Sequence, residues 1–124
     1  MIKAILLVGT GSFIGGALRY LISQCIPFHS SGFPLGTFII NIAGSLLIGL
    51  IWGIFNRYTN LSSDLCLLLT TGLCGGFTTF STFSNESLKL LQSNNYSAFF
   101  LYVIGSVVLG ILATFLGMFI LKSY

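Results

Sequence analysis

Four long apolar runs fill most of this 124-residue sequence and constrain its fold more than any other feature. Only 6% of the residues are charged, whereas a soluble domain carries about 25%. A helix that crosses the hydrocarbon core of a bilayer needs roughly 20 apolar residues. We expect such helices at residues 2–24, 35–55, 65–90 and 98–121. The sequence therefore predicts an all-α integral membrane protein that is surrounded by lipid, with four transmembrane helices in a single domain over residues 1–124.

The composition argues against several other classes of protein. A net charge of +3, dispersed along the chain, is too small to indicate a nucleic-acid partner. The short segments of alternating hydrophobicity that are typical of β-barrels are not evident. Both carboxylates, Asp64 and Glu86, fall near the ends of predicted spans. Because no acidic residue lies deep in a span, the sequence offers no obvious chemistry for an enzyme or for proton coupling.

The cysteines and the single histidine carry little functional signal. Cys25, Cys66 and Cys74 are odd in number and lack metal-ligand spacing, so we expect them to be small buried hydrophobic residues. His29 lies in a short loop that contains two prolines, where we expect it to be solvated.

The positive charges are almost balanced between the two sides of the predicted bundle. With four spans, Lys3, Arg57 and Lys122 fall on one side, and Lys89 and Arg19 fall on the other. An excess of lysine and arginine in cytoplasmic loops normally sets the orientation of a membrane protein. So small a bias predicts insertion in both orientations and antiparallel pairing of two copies.

The third span contains the most unusual stretch, GLCGGFTTFSTFSNE at residues 72–86. Gly75–Gly76 followed by Thr78–Thr79 predicts an interruption of the helix, since these residues are poor helix formers. Irregular backbone inside a membrane is tolerated only where it is buried or lines a wet cavity, and its freed carbonyls could bind a cation. Phe80 and Phe83 lie on one face of the resumed helix. Alternatively, the glycines allow close helix packing and the aromatic residues fill the core.

Small and polar residues also mark the first two spans. Gly11 and Gly15 have the GxxxG spacing of a helix-contact face. Asn41 begins a four-residue repeat that continues with Ser45 and two glycines. An asparagine at membrane depth needs partners. Asn41 either forms an interhelical hydrogen bond that holds a dimer together, worth about 0.6 kcal/mol, or points an amide N–H into a pore.

Two further features admit both a structural and a functional interpretation. Tyr102 and Ser106 place hydroxyls one turn apart on the fourth span, where such groups often bond back to the preceding turn. Arg19 lies near the end of the first span. It is either an arginine that reaches the interface or a fixed positive charge that attracts anions at a vestibule. Arginine keeps its proton, so it cannot act as a proton relay.

Three segments together resemble the Fluc (CrcB) family of fluoride channels. They are GGALRY at residues 15–20, GTFIINIAGS at residues 36–45 and GGFTTFSTFSNE at residues 75–86. The resemblance covers the whole chain, including its length and four-span layout. It implies an antiparallel, dual-topology homodimer with two pores that export fluoride passively across the bacterial inner or plasma membrane.

The resemblance also implies roles for particular residues in carrying a small, strongly hydrated anion. Aromatic rings have a positive edge that can face an anion, amide and hydroxyl groups can donate hydrogen bonds to it, and a cation raises its local concentration. The implied fluoride pathway comprises Asn41, Thr79, Phe80, Thr82, Phe83, Tyr102, Ser106 and Arg19. The family's fourth helix often continues its hydroxyls at four-residue spacing, but here Gly110 follows Ser106.

A structural sodium ion is the one cofactor that the resemblance implies. Its ligands would be the main-chain carbonyls of Gly75 and Thr78 from both subunits, at the centre of the dimer. Hard cations prefer oxygen ligands, and carbonyls freed from a broken helix supply them without a titratable group.

Two other functions are compatible with four spans. A small dual-topology exporter of drugs or metabolites would need a carboxylate in the membrane to exchange protons for a cation. The first span instead carries Arg19 and no acidic residue, which argues against that alternative. A structural or assembly subunit would use its polar stripes only to hold helices together.

Overall fold

The computed structural model describes residues 1–27 and 30–122, and all regular secondary structure within these ranges is helical, without strands. His29, which was expected to be solvated, lies outside the described residues. Helix α3 consists of three contiguous pieces, Ser63–Leu67, the π-helical Leu68–Cys74 and Gly75–Phe77. The other helices are α1 (Ile2–Cys25), α2 (Leu35–Arg57), α4 (Phe80–Gln92) and α5 (Tyr96–Lys122).

Four helical stretches of the described chain are long and apolar enough to cross a membrane, which confirms the predicted number of spans. The first, second and fourth spans are the continuous helices α1, α2 and α5. The third span combines α3 with α4. The third span begins at Ser63, because the Ser62 hydroxyl accepts a hydrogen bond from the Leu65 N–H at 3.2 Å and caps the helix. Lys3 of α1 forms an ion pair with Asp64 at this end of the molecule.

The predicted interruption of the third span is confirmed, but it lies at Thr78 and Thr79, which both have extended backbone. Helix α4 then begins at Phe80, and the Thr79 hydroxyl caps it by accepting from the Thr82 N–H at 3.3 Å. Gly75, by contrast, is helical. The span therefore bends just after its glycines rather than at them.

The glycines of α1 and α3 allow these two helices to touch through their backbones. A Cβ at Gly11 would lie 2.5 Å from the Leu68 carbonyl oxygen, and one at Gly76 would lie 2.4 Å from the Ser12 carbonyl oxygen. The same is true of Gly15, which packs on Leu73. The GxxxG contact face is thus confirmed, and Gly76 has the packing role considered as the alternative to a helix break.

Helices α2 and α5 form the second closely packed pair. A Cβ at Gly49 would lie 2.2 Å from the Thr114 carbonyl oxygen, and one at Gly117 would lie 2.6 Å from the Leu46 carbonyl oxygen. Ile40 and Tyr102 are almost fully buried between the helices. Much of the outer surface of α1 and α5 is apolar and exposed, as expected of helices that face lipid or another subunit.

Candidate functional site

A central chamber of about 380 Å³ lies where the bend between α3 and α4 meets α2 and α5. Several of the predicted site residues line it: Asn41, Gly75, Thr78, Thr79, Phe80, Phe83 and Ser106. The remaining lining residues are Gly44, Ser45, Ile48, Thr70, Cys74 and Val107. The fold therefore brings the polar stripe of α2, the bend and the hydroxyl face of α5 to one place.

The Asn41 side chain holds the bend in position. Its Nδ2 donates to the Thr79 carbonyl at 3.1 Å, and its Oδ1 accepts from the Thr79 N–H at 2.9 Å. Extended backbone has lost its helical partners, and inside a membrane these groups need replacements. Asn41 thus makes an interhelical hydrogen bond within one chain, whereas the bond predicted to hold a dimer together stays a prediction. An amide nitrogen carries two hydrogens, so a second N–H remains for the pore role, which stays a prediction.

Three aromatic rings form a row from the chamber into the core. The ring centroids of Phe80 and Phe83 are 5.8 Å apart, and those of Phe83 and Tyr102 are 5.1 Å apart. Tyr102 is fully buried, whereas the Phe80 side chain is 79% exposed. Phe80 therefore does not fill the core of a single chain, and its ring lies at the open side of the chamber.

Glu86 lies behind this row and accepts two hydroxyl hydrogen bonds. Tyr102 donates to Oε2 at 2.7 Å, and Thr37 donates to Oε1 at 2.9 Å. Both carboxylate oxygens therefore have donors. Sequence reasoning missed Thr37 and Glu86, although both follow the helical repeat. Thr37 lies one turn before Asn41, and Glu86 lies one turn after Phe83.

The predicted hydroxyl groups differ in whether their hydrogens are already used. The Thr79 hydroxyl donates to the Thr82 hydroxyl at 3.0 Å as part of the cap of α4. Tyr102 is bonded to Glu86. The Ser106 Oγ is buried and has no hydrogen-bond partner among residues 1–27 and 30–122. Ser106 thus has an unused hydroxyl hydrogen at the wall of the chamber.

Arg19 lies at a side cavity of about 340 Å³ rather than at the central chamber. This cavity is lined by Arg19, Tyr20, Ser23, Thr37, Thr79, Thr82 and Glu86. Thr79 lines both the cavity and the chamber, so the two spaces adjoin at the bend. The Arg19 Nε is buried without a hydrogen-bond partner in the described part of the chain. A positive charge thus lies next to the bend and to the bonded carboxylate.

The carbonyls predicted to bind sodium have lost their helical donors. In an α-helix, the Gly75 carbonyl would accept from the Thr79 N–H, but that N–H donates to Asn41. The Thr78 carbonyl would accept from the Thr82 N–H, which donates to the Thr79 hydroxyl instead. These neutral oxygens suit a hard cation of low charge. The described residues contain no cluster of three or more His, Cys, Asp or Glu side chains that could hold a metal.

Comparison with known proteins identifies the family. A family model described as "CrcB-like protein, Camphor Resistance (CrcB)" matches residues 6–118. The "Fluoride-specific ion channel FluC" of Phocaeicola vulgatus is 53% identical over 93% of this chain and 95% of its own length. The proteins of that name from Flavobacterium psychrophilum and Chlorobaculum tepidum are 47% and 44% identical, each over 98% of its own length. With four membrane-spanning helices and these relatives, the chain is a multi-pass membrane protein that belongs to the CrcB family.

Proposed function

We propose that this protein is a fluoride-selective ion channel that exports fluoride passively from the bacterial cytoplasm across the inner membrane. It acts as an antiparallel homodimer with two pores. Relatives that are 44–53% identical over nearly the whole chain are named fluoride-specific ion channels. The observation that carries the proposal is the central chamber, in which a free hydroxyl and two phenylalanine rings meet and no carboxylate lies among the described lining residues.

The groups around the chamber suit an anion that must exchange its water for hydrogen-bond donors. Ser106 has an unused hydroxyl hydrogen, and Asn41 has a second amide hydrogen. The rings of Phe80 and Phe83 can turn their positive edges toward an anion, where an oxygen acceptor would repel it. Fluoride is the smallest and hardest halide, so it gains most from such close donors.

The charged residues beside the chamber favour an anion over a cation. Arg19 raises the local anion concentration at the side cavity that adjoins the bend. Glu86 would repel fluoride, but both of its oxygens accept hydroxyl hydrogens, and Arg19 lines the same cavity. The paired hydroxyls weaken the field of the carboxylate toward a passing anion.

A second copy of the chain would close the open side of the chamber. Phe80 is 79% exposed, and Thr71 and Gly75 are exposed one turn apart on the third span. Polar backbone and hydroxyls within a hydrocarbon layer need protein partners. The near balance of positive charge between the two sides favours a partner inserted in the opposite orientation.

A structural sodium ion would then be held by the carbonyls of Gly75 and Thr78 from both subunits. It would compensate carbonyls whose helical donors are bonded elsewhere and would tie the two bends together. We expect removal of sodium to weaken the dimer on size exclusion. An imposed sodium gradient should leave the direction of fluoride flux unchanged, and flux that followed the gradient would contradict a structural role.

Efflux from liposomes distinguishes the channel from the two alternatives. The purified protein should release trapped fluoride down its gradient, at a rate that does not depend on a proton gradient. A small dual-topology drug or metabolite exporter would depend on such a gradient, and an assembly subunit would release no fluoride. Either of those results would contradict the proposed function.

A further inference from the structure

Gly110 interrupts the row of hydroxyls on α5, and Thr114 does not continue it. The Thr114 Oγ1 lies 3.0 Å from the Ser45 carbonyl oxygen and 3.1 Å from the Gly110 carbonyl oxygen, and donates between them. Its hydrogen is therefore engaged in joining α5 to α2. Along α5 from Tyr102, the next hydroxyl at four-residue spacing is that of Ser106, which is unused. Gly110 follows and has no hydroxyl.

The hydroxyl of Ser45 on α2 lies beside the position that a side chain at residue 110 would occupy. A Cβ at Gly110 would lie 3.4 Å from the Ser45 Oγ, which is the one neighbouring atom within 4 Å in the described chain. A hydroxyl from α2 thus lies next to the place where α5 lacks a hydroxyl. A Cβ at this distance would be in ordinary van der Waals contact with it.

Ser45 also lies where the central chamber meets an outer groove. The groove has a volume of about 520 Å³ and runs along Gly110 and Thr114. Ser45 and Val107 line both the groove and the chamber. An ion that passes Ser106 toward the groove therefore passes Ser45.

The Ser45 hydroxyl can be redirected toward such an ion. It donates to the Asn41 carbonyl at 2.8 Å, one turn back along α2. A hydroxyl hydrogen rotates freely to suit its acceptor, and hydrogen bonds to an anion are stronger than those to a neutral carbonyl.

We propose that Ser45 supplies the fluoride pathway with the hydroxyl that is missing at position 110, so that the row of donors passes from α5 to α2 at this point. This inference rests on the proposed function, since it assumes that fluoride crosses the chamber. It assigns Ser45 a direct contact with the ion, beside the position at Gly110 where α5 has no hydroxyl.

A rescue experiment tests the proposal by fluoride efflux from liposomes. Ser45→Ala should lower the rate about tenfold or more, the effect of losing one strong hydrogen bond. Adding Gly110→Ser to that variant should restore most of the rate, because the new side chain enters the space vacated by the Ser45 hydroxyl. Adding Gly110→Ala instead should not, since it fills the space without a donor.

Two further variants guard against effects on folding. Ser45→Cys nearly keeps the volume but has a much weaker donor, so it should lose flux while the protein still elutes as the parent does on size exclusion. Thr10→Val removes a hydroxyl with the same one-turn bond, to the Leu6 carbonyl at 2.7 Å, on an exposed face of α1. It should conduct at the parent rate.

The outcomes separate this inference from the proposed function. Failure of the parent protein to conduct fluoride would overturn both. A conducting parent, with Ser45→Ala and Ser45→Cys at the same rate, would overturn the role of Ser45 alone. Equal rescue by Gly110→Ser and Gly110→Ala would also overturn it, since filling space would then suffice.

Discussion

Asn41 has a structural role at the bend and a proposed role in conduction. Its amide satisfies both backbone groups of Thr79 at the wall of the chamber. Asn41→Asp keeps an acceptor for the Thr79 N–H but loses the donor to the Thr79 carbonyl, and it adds negative charge. We expect fluoride efflux to fall by at least about tenfold, measured in liposomes beside size exclusion. Undiminished efflux from a correctly assembled protein would remove Asn41 from the pathway.

The two phenylalanines separate an aromatic pathway from simple packing. Leucine has similar bulk but no positive ring edge, and swaps that conserve volume usually cost less than about 1.5 kcal/mol. We expect Phe80→Leu and Phe83→Leu to assemble as the parent does but to lose fluoride efflux. The exposure of Phe80 makes it the cleaner test within one chain. If both variants released fluoride at the parent rate, the rings would contribute only to packing.

Seven of the residues that line the chamber were predicted as site residues, whereas Tyr102, Thr82 and Arg19 were predicted but do not line it. Asn41, Phe83 and Ser106 stand out as polar or aromatic residues in apolar helices, the family resemblance implied their roles, and they meet at one cavity. Thr37 and Glu86 were missed. Glu86 lies near the end of a predicted span, where a charged side chain can reach water and does not by itself indicate a site. Its two hydroxyl partners come from different helices, and a single sequence does not show which helices are neighbours.

At the scale of the helices, the bend lies at Thr78–Thr79, and the glycines before it serve close contact. The sequence predicted an interruption near Gly75 because glycine and threonine are poor helix formers. Contacts with α1 and α2 determine which of these residues leave the helix. Gly76 remains in α3 because α1 packs directly on it, and Asn41 stabilises the extended Thr79 instead. The π-helical turn Leu68–Cys74 has no recognisable sequence pattern and was not predicted.

A pair of glycine substitutions tests the contact between α1 and α3. Gly76→Ala places a Cβ 2.4 Å from the Ser12 carbonyl oxygen, so the two backbones must separate. We expect a marked loss of folded protein on size exclusion after mild heating. Gly9→Ala is the control, because a Cβ there has no described atom within 4 Å. It should be neutral or stabilising by up to about 1 kcal/mol. Equal tolerance of both changes would contradict the backbone contact.

At the scale of the whole molecule, the composition was enough to predict the number of spans, and the weak charge bias predicts their dual orientation. That second prediction can be checked with a cysteine tag at the C-terminus, after replacement of Cys25, Cys66 and Cys74. An impermeant thiol reagent should label the tag from both faces of the membrane. Labelling from one face alone would exclude dual topology, but would leave the chamber and its proposed ion unaffected.

The central claim, that the chamber conducts fluoride selectively, is tested most directly by the reversal potential of the current in a planar bilayer. The two sides would hold equal chloride and a tenfold gradient of fluoride, balanced by an impermeant anion, without a gradient of protons or sodium. A fluoride-selective pore should reverse at the equilibrium potential of fluoride, about 59 mV for a tenfold gradient of a monovalent ion. A reversal potential near zero, or no current from protein that elutes as a folded dimer, would contradict the account.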